Sequence, residues 1–484
     1  MWNWVAVPGD WLTRLVVQRG LAGIYLIAFL VAVNQFRPLL GEHGLLPAPA
    51  YLRRTSFRES PSLFHWRYSD QLLLAVAWTG VVVAGLAVLG ITESGPLWVS
   101  MLAWALLWVL YLSIVNIGQM FYGFGWESLL LEAGFLAVFL GSADVAPPLP
   151  VLLLMRWLVF RLELGAGLIK LRGDRCWRDL TCLNHHHETQ PMPGPLSRWF
   201  HRLPRRVHKA EVLANHVAQL VVPFGLLLPQ PVAGIAAVLL IVTQLWLVLS
   251  GNFSWLNAVT IVLTCAALSG SQLDAVLPVS PPETLAMPAW FAAASLLLTA
   301  GVAALSWQPV RNMASGGQVM NQSFNRYHLV NTYGAFGTVT RDRFEVIIEA
   351  TLDPRPGPDS EWREFEFKGK PGDPRRRPPQ IAPYHLRLDW MLWFVALSPA
   401  YAGAWFEPFL IKLLQHDPAV RKLLRSVPFG QPPAVVRARL YRYRFADTRA
   451  RRAGDWWTRS LITELFPAVR LGDRDGRPVL LPPG

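Results

Sequence analysis

About nine stretches of this chain are apolar for close to the roughly 20 residues that a helix needs to cross a bilayer. They lie at approximately 16–36, 71–90, 97–117, 126–142, 149–171, 212–229, 231–250, 254–273 and 288–307. A soluble domain can bury one or two such runs, not a succession of them. The chain is 52% hydrophobic and 16% charged, against about 25% charged in soluble globular proteins. The expected fold is a polytopic α-helical membrane protein, with about nine transmembrane helices over 1–307 and a C-terminal α+β extramembrane domain over 308–484. The first run, from about Leu15 to Val33, lacks a small-residue cleavage site and is expected to remain as the first helix.

Nine crossings put alternate loops on opposite sides. Side one would hold the N-terminus and the short loops with Glu93, Asp144, Asp274 and Glu283. Side two would hold the 37–70 loop, the large 172–211 loop and the C-terminal region. The 172–211 loop has eight Lys+Arg against four Asp+Glu, which by the positive-inside rule favours the cytoplasm for side two, although long loops cross largely regardless of charge. From Arg311 onward there are 27 Lys+Arg against 17 Asp+Glu, so +10 of the net +13 lies in the last third. A basic surface beside a membrane suits anionic headgroups, and no basic–aromatic nucleic-acid module is present. Membrane lipid is an expected partner and nucleic acid is not.

In the C-terminal region, Phe344–Ala350, Glu364–Lys368 and Val435–Phe445 have strand composition, and Pro354–Pro358 reads as a turn. Asp389–Leu397, Trp405–Gln415 and Ala419–Ser426 are amphipathic helix candidates. They suit packing on the membrane interface or on an ordinary core.

Arg156, Glu163 and Lys170 recur every seven residues on the fifth span, close to two helical turns, and so share one stripe. A charge at membrane depth costs about 2.5–3.5 kcal/mol on insertion scales, so these groups are expected to pair. Glu127 and Glu132 of the fourth span are the candidate partners, and Arg161 points off the stripe. Two readings fit: an ion-pair network that fixes helix packing, or a polar cavity opening toward side two.

The loop Gly173–Pro195 follows directly. Cys176 and Cys182 can pair there if the loop faces an oxidising compartment, or remain as two thiols; Cys265 reads as a small core residue. His185, His186 and His187 are consecutive and point in different directions, and no Cys/His spacing matches a zinc site, so no metal is expected. His216 with Asn215, Gln244 and Asn252 are further polar groups on or beside the sixth and seventh spans. No nucleophile elbow, phosphate loop, dinucleotide fingerprint or HExxH occurs, and no cofactor is expected. Asn252-Phe-Ser254 and Asn321-Gln-Ser323 match the N-glycosylation tripeptide.

Five blocks resemble the lipase maturation factor family: Gly125-Trp-Glu-Ser-Leu-Leu-Leu-Glu132, the loop Gly173–Pro195, Gly251-Asn-Phe-Ser-Trp-Leu-Asn257, Arg326-Tyr-His-Leu-Val-Asn-Thr-Tyr-Gly-Ala-Phe336 and Pro378–Trp393. The resemblance implies a multi-pass membrane protein of the endoplasmic reticulum that acts as a chaperone in the folding and maturation of secreted lipases, and not as an enzyme. It implies a client-binding role for the loop, with Trp177, Arg178, Asp179, His187, Glu188 and Gln190. It implies the same for a C-terminal surface carrying Tyr384, Arg387, Asp389 and Trp390, with both regions facing the lumen. The Arg-, Pro- and Ala-rich composition suggests a bacterial source, for which the corresponding place is the inner membrane. A shorter resemblance, Ala166-Gly-Leu-Ile-Lys-Leu171 followed by Trp177, is to vitamin K-dependent γ-carboxylases of the HTTM type. It implies the alternative of a quinone-linked membrane enzyme with Lys170 as the catalytic base.

Overall fold

The computed structural model describes residues 4–277, 279–474 and 477–483. Among the described residues, five helical stretches are long and apolar enough to cross a membrane: Pro8–Leu40, Asp70–Leu89, Leu97–Asn116, Val232–Ser250 and Ala289–Ala314. The principal helices are α1 (Trp11–Leu40), α2 (Asp70–Leu89), α3 (Leu97–Asn116), α4 (Gly125–Ala137), α5 (Leu149–Arg172), α6 (Arg205–Leu220), α7 (Val232–Ser250), α8 (Leu256–Thr264) and α9 (Ala289–Leu305). Their ends follow local chemistry. Ser69 caps α2 by accepting from Leu72 N at 3.1 Å, and α2 stops at Gly90, whose φ of +84° suits glycine. Prolines 96, 148 and 288 stand immediately before α3, α5 and α9.

Membrane crossing thus stands at five helices by length and composition, against the nine expected. The other four expected spans are helical but differ. α4 has 13 residues and α8 has 9, both too short to cross unaided. α6 is amphipathic and breaks before Val222–Gly225. α5 has 24 residues but carries Arg156, Arg161, Glu163 and Lys170, all buried. Apolar runs of this kind read alike whether lipid or protein surrounds them. The lipid-facing helices show the difference: Val238, Leu239, Val242 and Leu245 of α7 and Leu297 of α9 are exposed.

The N-terminus and the short loops meet one another. Ala143 N donates to Glu93 O at 2.8 Å, Gly270 N to Asp10 Oδ1 at 3.1 Å, and Val145 bridges Ala286. These contacts gather the N-terminus and the short loops at one end of the bundle. Exposed Trp4, Trp98 and Trp290 lie at that end, and exposed Trp66 and Trp307 at the other, as aromatic belts do at the two interfaces.

From Ser315 to Asp342 the chain is neither helix nor strand and lies back along α5. Gln318 Nε2 donates to Gly165 O at 2.9 Å, and a Cβ on Gly165 would fall 2.4 Å from Tyr333 O. A five-stranded antiparallel sheet follows, ordered β2 (Arg363–Glu364), β1 (Arg343–Thr351), β5 (Val435–Phe445), β6 (Trp457–Arg474), β7 (Arg477–Leu481). β3 (Glu366–Phe367) and β4 (Leu424–Ser426) form a second pair. The helices α10 (Arg387–Leu397) and α11 (Phe406–Leu414) bury Leu388, Trp390, Phe406 and Phe409 in the core shared with Val346 and Ile348 of β1.

β1 and β5 fall where their sequences predict. Two expectations are corrected. Glu364–Lys368 is not one strand, because the chain changes partner at Phe365, from β1 to β4. The helix expected over Ala419–Ser426 is cut short: a single α-helical turn, Pro418–Arg421, leads into β4. Of the two settings open to the helices, the core is the one seen. β6 and β7 were not anticipated.

Candidate functional site

The polar groups of the bundle gather into three buried clusters at the side-two end, each closed by residues from later in the chain. The first joins α4 to α10. Glu127 Oε1 lies 2.8 Å from Arg387 Nη1 and 3.6 Å from His385 Nδ1, and Tyr111 OH donates to its other oxygen. Arg387 also donates to Phe121 O at 2.7 Å and lies over the Tyr122 ring. Gln35 of α1 bonds the backbone on either side, through His385 O at 2.6 Å and Arg387 N at 3.0 Å. All of these groups are fully or almost fully buried.

The second cluster joins α4 and α5 to the returning segment. Glu132 pairs with Arg161 and accepts from Asn331 N at 2.9 Å, Asn331 Nδ2 at 3.0 Å and Tyr333 OH at 2.8 Å. Arg161 Nη1 donates to Asn331 O at 2.5 Å. In the third, Glu163 accepts from Gln244 at 2.6 Å and Gln219 at 3.1 Å, and Asn257 donates to Gln244 at 2.7 Å. Lys170 Nζ donates to Gln219 Oε1 at 2.8 Å and Asn215 Oδ1 at 2.9 Å, and stands 4.9 Å from the Trp177 ring.

The charged stripe is therefore a packing network, and its expected pairing is corrected. Glu132 serves Arg161, off the stripe; Glu127 serves Arg387, far along the chain. Arg156 ends on a backbone carbonyl, Ala266 O, at 2.9 Å. Lys170 is held by two side-chain oxygens and a ring, so its protons are engaged as hydrogen-bond donors. Amide side chains fill the space where a polar cavity was the other reading. A carboxylase-like base finds no support in this arrangement.

The loop is also built inward. Cys176 and Cys182 form a disulfide, with their Cα atoms 4.8 Å apart. Trp177 Nε1 donates to Phe336 O at 2.8 Å, while His216 Nε2 lies 3.0 Å from Trp177 O. Glu188 accepts from Phe445 N at 2.7 Å. Gln190 Nε2 reaches His187 O, Ser197 Oγ and Ser250 O within 3.0 Å. Of the six loop residues expected to meet a client, Trp177, His187, Glu188 and Gln190 are buried, and only Arg178 and Asp179 are exposed. Of the expected C-terminal surface, Arg387, Asp389 and Trp390 are buried and Tyr384 is partly so. Polar and aromatic composition marked these residues as unusual, but their partners lie too far along the chain for sequence to show burial. Asn252 is likewise buried and bonded through both side-chain atoms, to Pro379 O at 3.0 Å and Ile381 N at 2.7 Å, so it cannot carry a glycan.

Missed entirely was the centre that ties the loop to the sheet. Arg343 of β1 donates to Glu188 O at 2.9 Å and Pro191 O at 3.1 Å and pairs with Glu345, which also holds Lys370 Nζ at 3.0 Å. Beside it, Asp389 Oδ1 accepts from Gly369 N at 2.6 Å.

Two expected outcomes arise here. Burial pushes the Asp389 carboxyl up to about 6, with the Gly369 bond acting against it. A raised carboxyl stabilises the fold fully below its unfolded value near 4 and loses that contribution as pH rises through 6. Asp389→Asn should therefore gain on wild type as pH rises from 4 to 7, by up to about 3 kcal/mol. Thermal unfolding at both pH values checks this, and an unchanging difference refutes it. Loss of the Cys176–Cys182 bond should cost about 2 kcal/mol for so short a loop. Before reduction, maleimide should label neither cysteine, and Cys182→Ser should raise protease cutting within 173–195. Two freely labelled thiols in the oxidised protein would contradict it.

Comparison with known proteins gives one consistent result. The model for the lipase maturation factor transmembrane domain matches residues 12–275, and that for the lipase maturation factor C-terminal domain matches 329–467. The chain is 42% identical to lipase maturation factor 1 of Bos taurus, over 96% of this chain and 90% of that protein. Identity is 41% to lipase maturation factor 1 of Homo sapiens, over 95% and 88% of the two chains. It is 30% to lipase maturation factor 2 of Xenopus tropicalis, over 94% and 82%. No solved structure matches this chain.

Proposed function

We infer, from the premise that this chain belongs to the lipase maturation factor family, that it helps secreted lipases reach their active form. The observation that carries this is the 42% identity to lipase maturation factor 1 over 96% of the chain, which spans the bundle, the loop and the sheet together. The chain is a multi-pass membrane protein. We place the loop and the C-terminal sheet in an oxidising compartment: the endoplasmic reticulum lumen, or the periplasm if the source is bacterial. The Cys176–Cys182 bond supports that side and outweighs the positive loop charge, which is a weak guide for long loops.

Client contact falls to exposed surface on the loop, which the sequence singled out, and on the sheet, which it did not. These are Arg178 and Asp179 on the loop, and the outer stretch of β6, where Leu461 and Ile462 are 50% and 47% exposed. The buried clusters hold this platform rigid. The test is the specific activity of secreted lipase, per unit of lipase protein, in cells lacking the gene. Wild type should restore it. A Leu461→Asp/Ile462→Asp variant at equal membrane level should restore less than about a third. No effect of deletion on lipase activity would end the lipase reading. Full rescue by the variant would move client contact elsewhere.

A further inference from the structure

The three consecutive histidines do not act alike. The short helix Leu183–Thr189 turns His186 against Phe336 and leaves His185 partly exposed. His187 faces α6, where His208 and Glu211 stand three residues apart and so share a face. One ligand atom from each of His187, His208 and Glu211 lies within 4.8 Å of the other two. No polar loop motif predicts this grouping, because the second and third members belong to the next long helix.

The hydrogen bonding around the group is incomplete in a particular way. His187 is 3% exposed, yet neither of its ring nitrogens has a hydrogen-bond partner among the described residues. Leaving a buried polar group unsatisfied costs about 1–3 kcal/mol, and such groups call for an explanation such as an ion. Glu211 is held by one oxygen only: Trp246 Nε1 donates to Oε1 at 3.0 Å, while Oε2 is buried without a partner among the described residues. His208 contacts two acceptors, Asn184 Oδ1 at 3.0 Å and Phe200 O at 2.9 Å. A neutral imidazole has one N–H, so it holds only one of these acceptors, and the oxygen at its other nitrogen moves aside when that nitrogen meets an ion. An N–H held by an acceptor, with the other nitrogen on the ion, is the usual arrangement of a metal-bound histidine.

We propose that His187, His208 and Glu211 bind a zinc ion. Two imidazoles and a carboxylate suit Zn²⁺ among the common divalent ions and fill three of four tetrahedral positions. Bonds of about 2.0–2.2 Å put ligand atoms roughly 3.3–3.5 Å apart, so binding draws the three side chains together by about an ångström. The fourth position belongs to water or to His201, whose Nδ1 also lacks a partner among the described residues. The ion ties the loop to α6 and fixes the wall that carries Trp177. Glu211, only partly buried, is the entrance.

The test uses the full chain in detergent, with any affinity tag removed. It is stripped with chelator, dialysed against micromolar Zn²⁺, and its metal is counted by mass spectrometry. One zinc per chain is expected, held against a competing chromophoric chelator. Glu211→Gln, partly buried and isosteric, should elute as wild type on size exclusion and bind at least tenfold more weakly; His208→Ala should do the same if it folds. Cobalt in place of zinc should give intense visible bands in wild type and lose them in Glu211→Gln. Less than a tenth of an equivalent in wild type, or equal uptake by Glu211→Gln, overturns the proposal.

Discussion

Arg387→Ala is expected to strip most of this protein from the membrane fraction. The substitution leaves the Glu127 carboxylate, buried to 0% exposure, without the guanidinium 2.8 Å away. Breaking a buried ion pair from one side costs about 3–5 kcal/mol, a third or more of the roughly 5–15 kcal/mol that holds a domain folded. Tyr111 can still donate to Glu127, but it is neutral. The steady-state level should fall more than about fivefold, and the remaining protein should melt well below wild type. Removing both charges with volume kept, as Glu127→Gln/Arg387→Met, should recover part of the loss, since the uncompensated ion is then gone. Wild-type abundance and melting for Arg387→Ala would refute the account.

Glu132→Ala is the second large effect. This one side chain is the acceptor for Arg161, for both nitrogens of Asn331 and for Tyr333. Alanine leaves the Arg161 cation without its carboxylate and takes the acceptor from Asn331 N and Tyr333 OH, again at about 3–5 kcal/mol. Glu132→Gln keeps one acceptor oxygen and the volume, and should cost visibly less. The damage should be local first: the 315–342 segment should lift from α5 and become open to protease. Equal behaviour of the alanine and glutamine variants, or an unchanged digestion pattern, would show that packing and not the carboxylate holds the segment.

Some of this arrangement was legible in the sequence, and the boundary has a physical cause. Strand β5 and the five lipid-length helices follow from local pattern, which is what composition and periodicity record. Glu127 and Glu132 stood out because a carboxylate in an apolar helix must be answered. Arg161 answers Glu132 from the next long helix, but Arg387 and Asn331 lie about 260 and 199 residues beyond Glu127 and Glu132, and periodicity carries no information at that range. α4 and α8 looked like spans because protein and lipid select the same side chains. β6 escaped because Pro467 and Gly472 read as breakers. The loop was rightly marked as unusual but looked exposed, since polar residues bury only with partners that sequence order does not reveal. His187 lay in a conspicuous run, while His208 and Glu211 looked like ordinary members of an amphipathic helix.

The distance from Glu127 to Arg387 also sets a schedule. A ribosome adding about 5–20 residues per second needs on the order of 10–50 s to make the 260 residues between them. For that interval Glu127 of α4 stays unanswered, since α10 does not yet exist, whereas Glu132 meets Arg161 as soon as α5 is made. The nascent bundle must therefore stay loose until the tail arrives to lock it. Any message cut short before α10 leaves a chain that is inserted but permanently open, and cellular quality control can recognise that state by the same exposed charge.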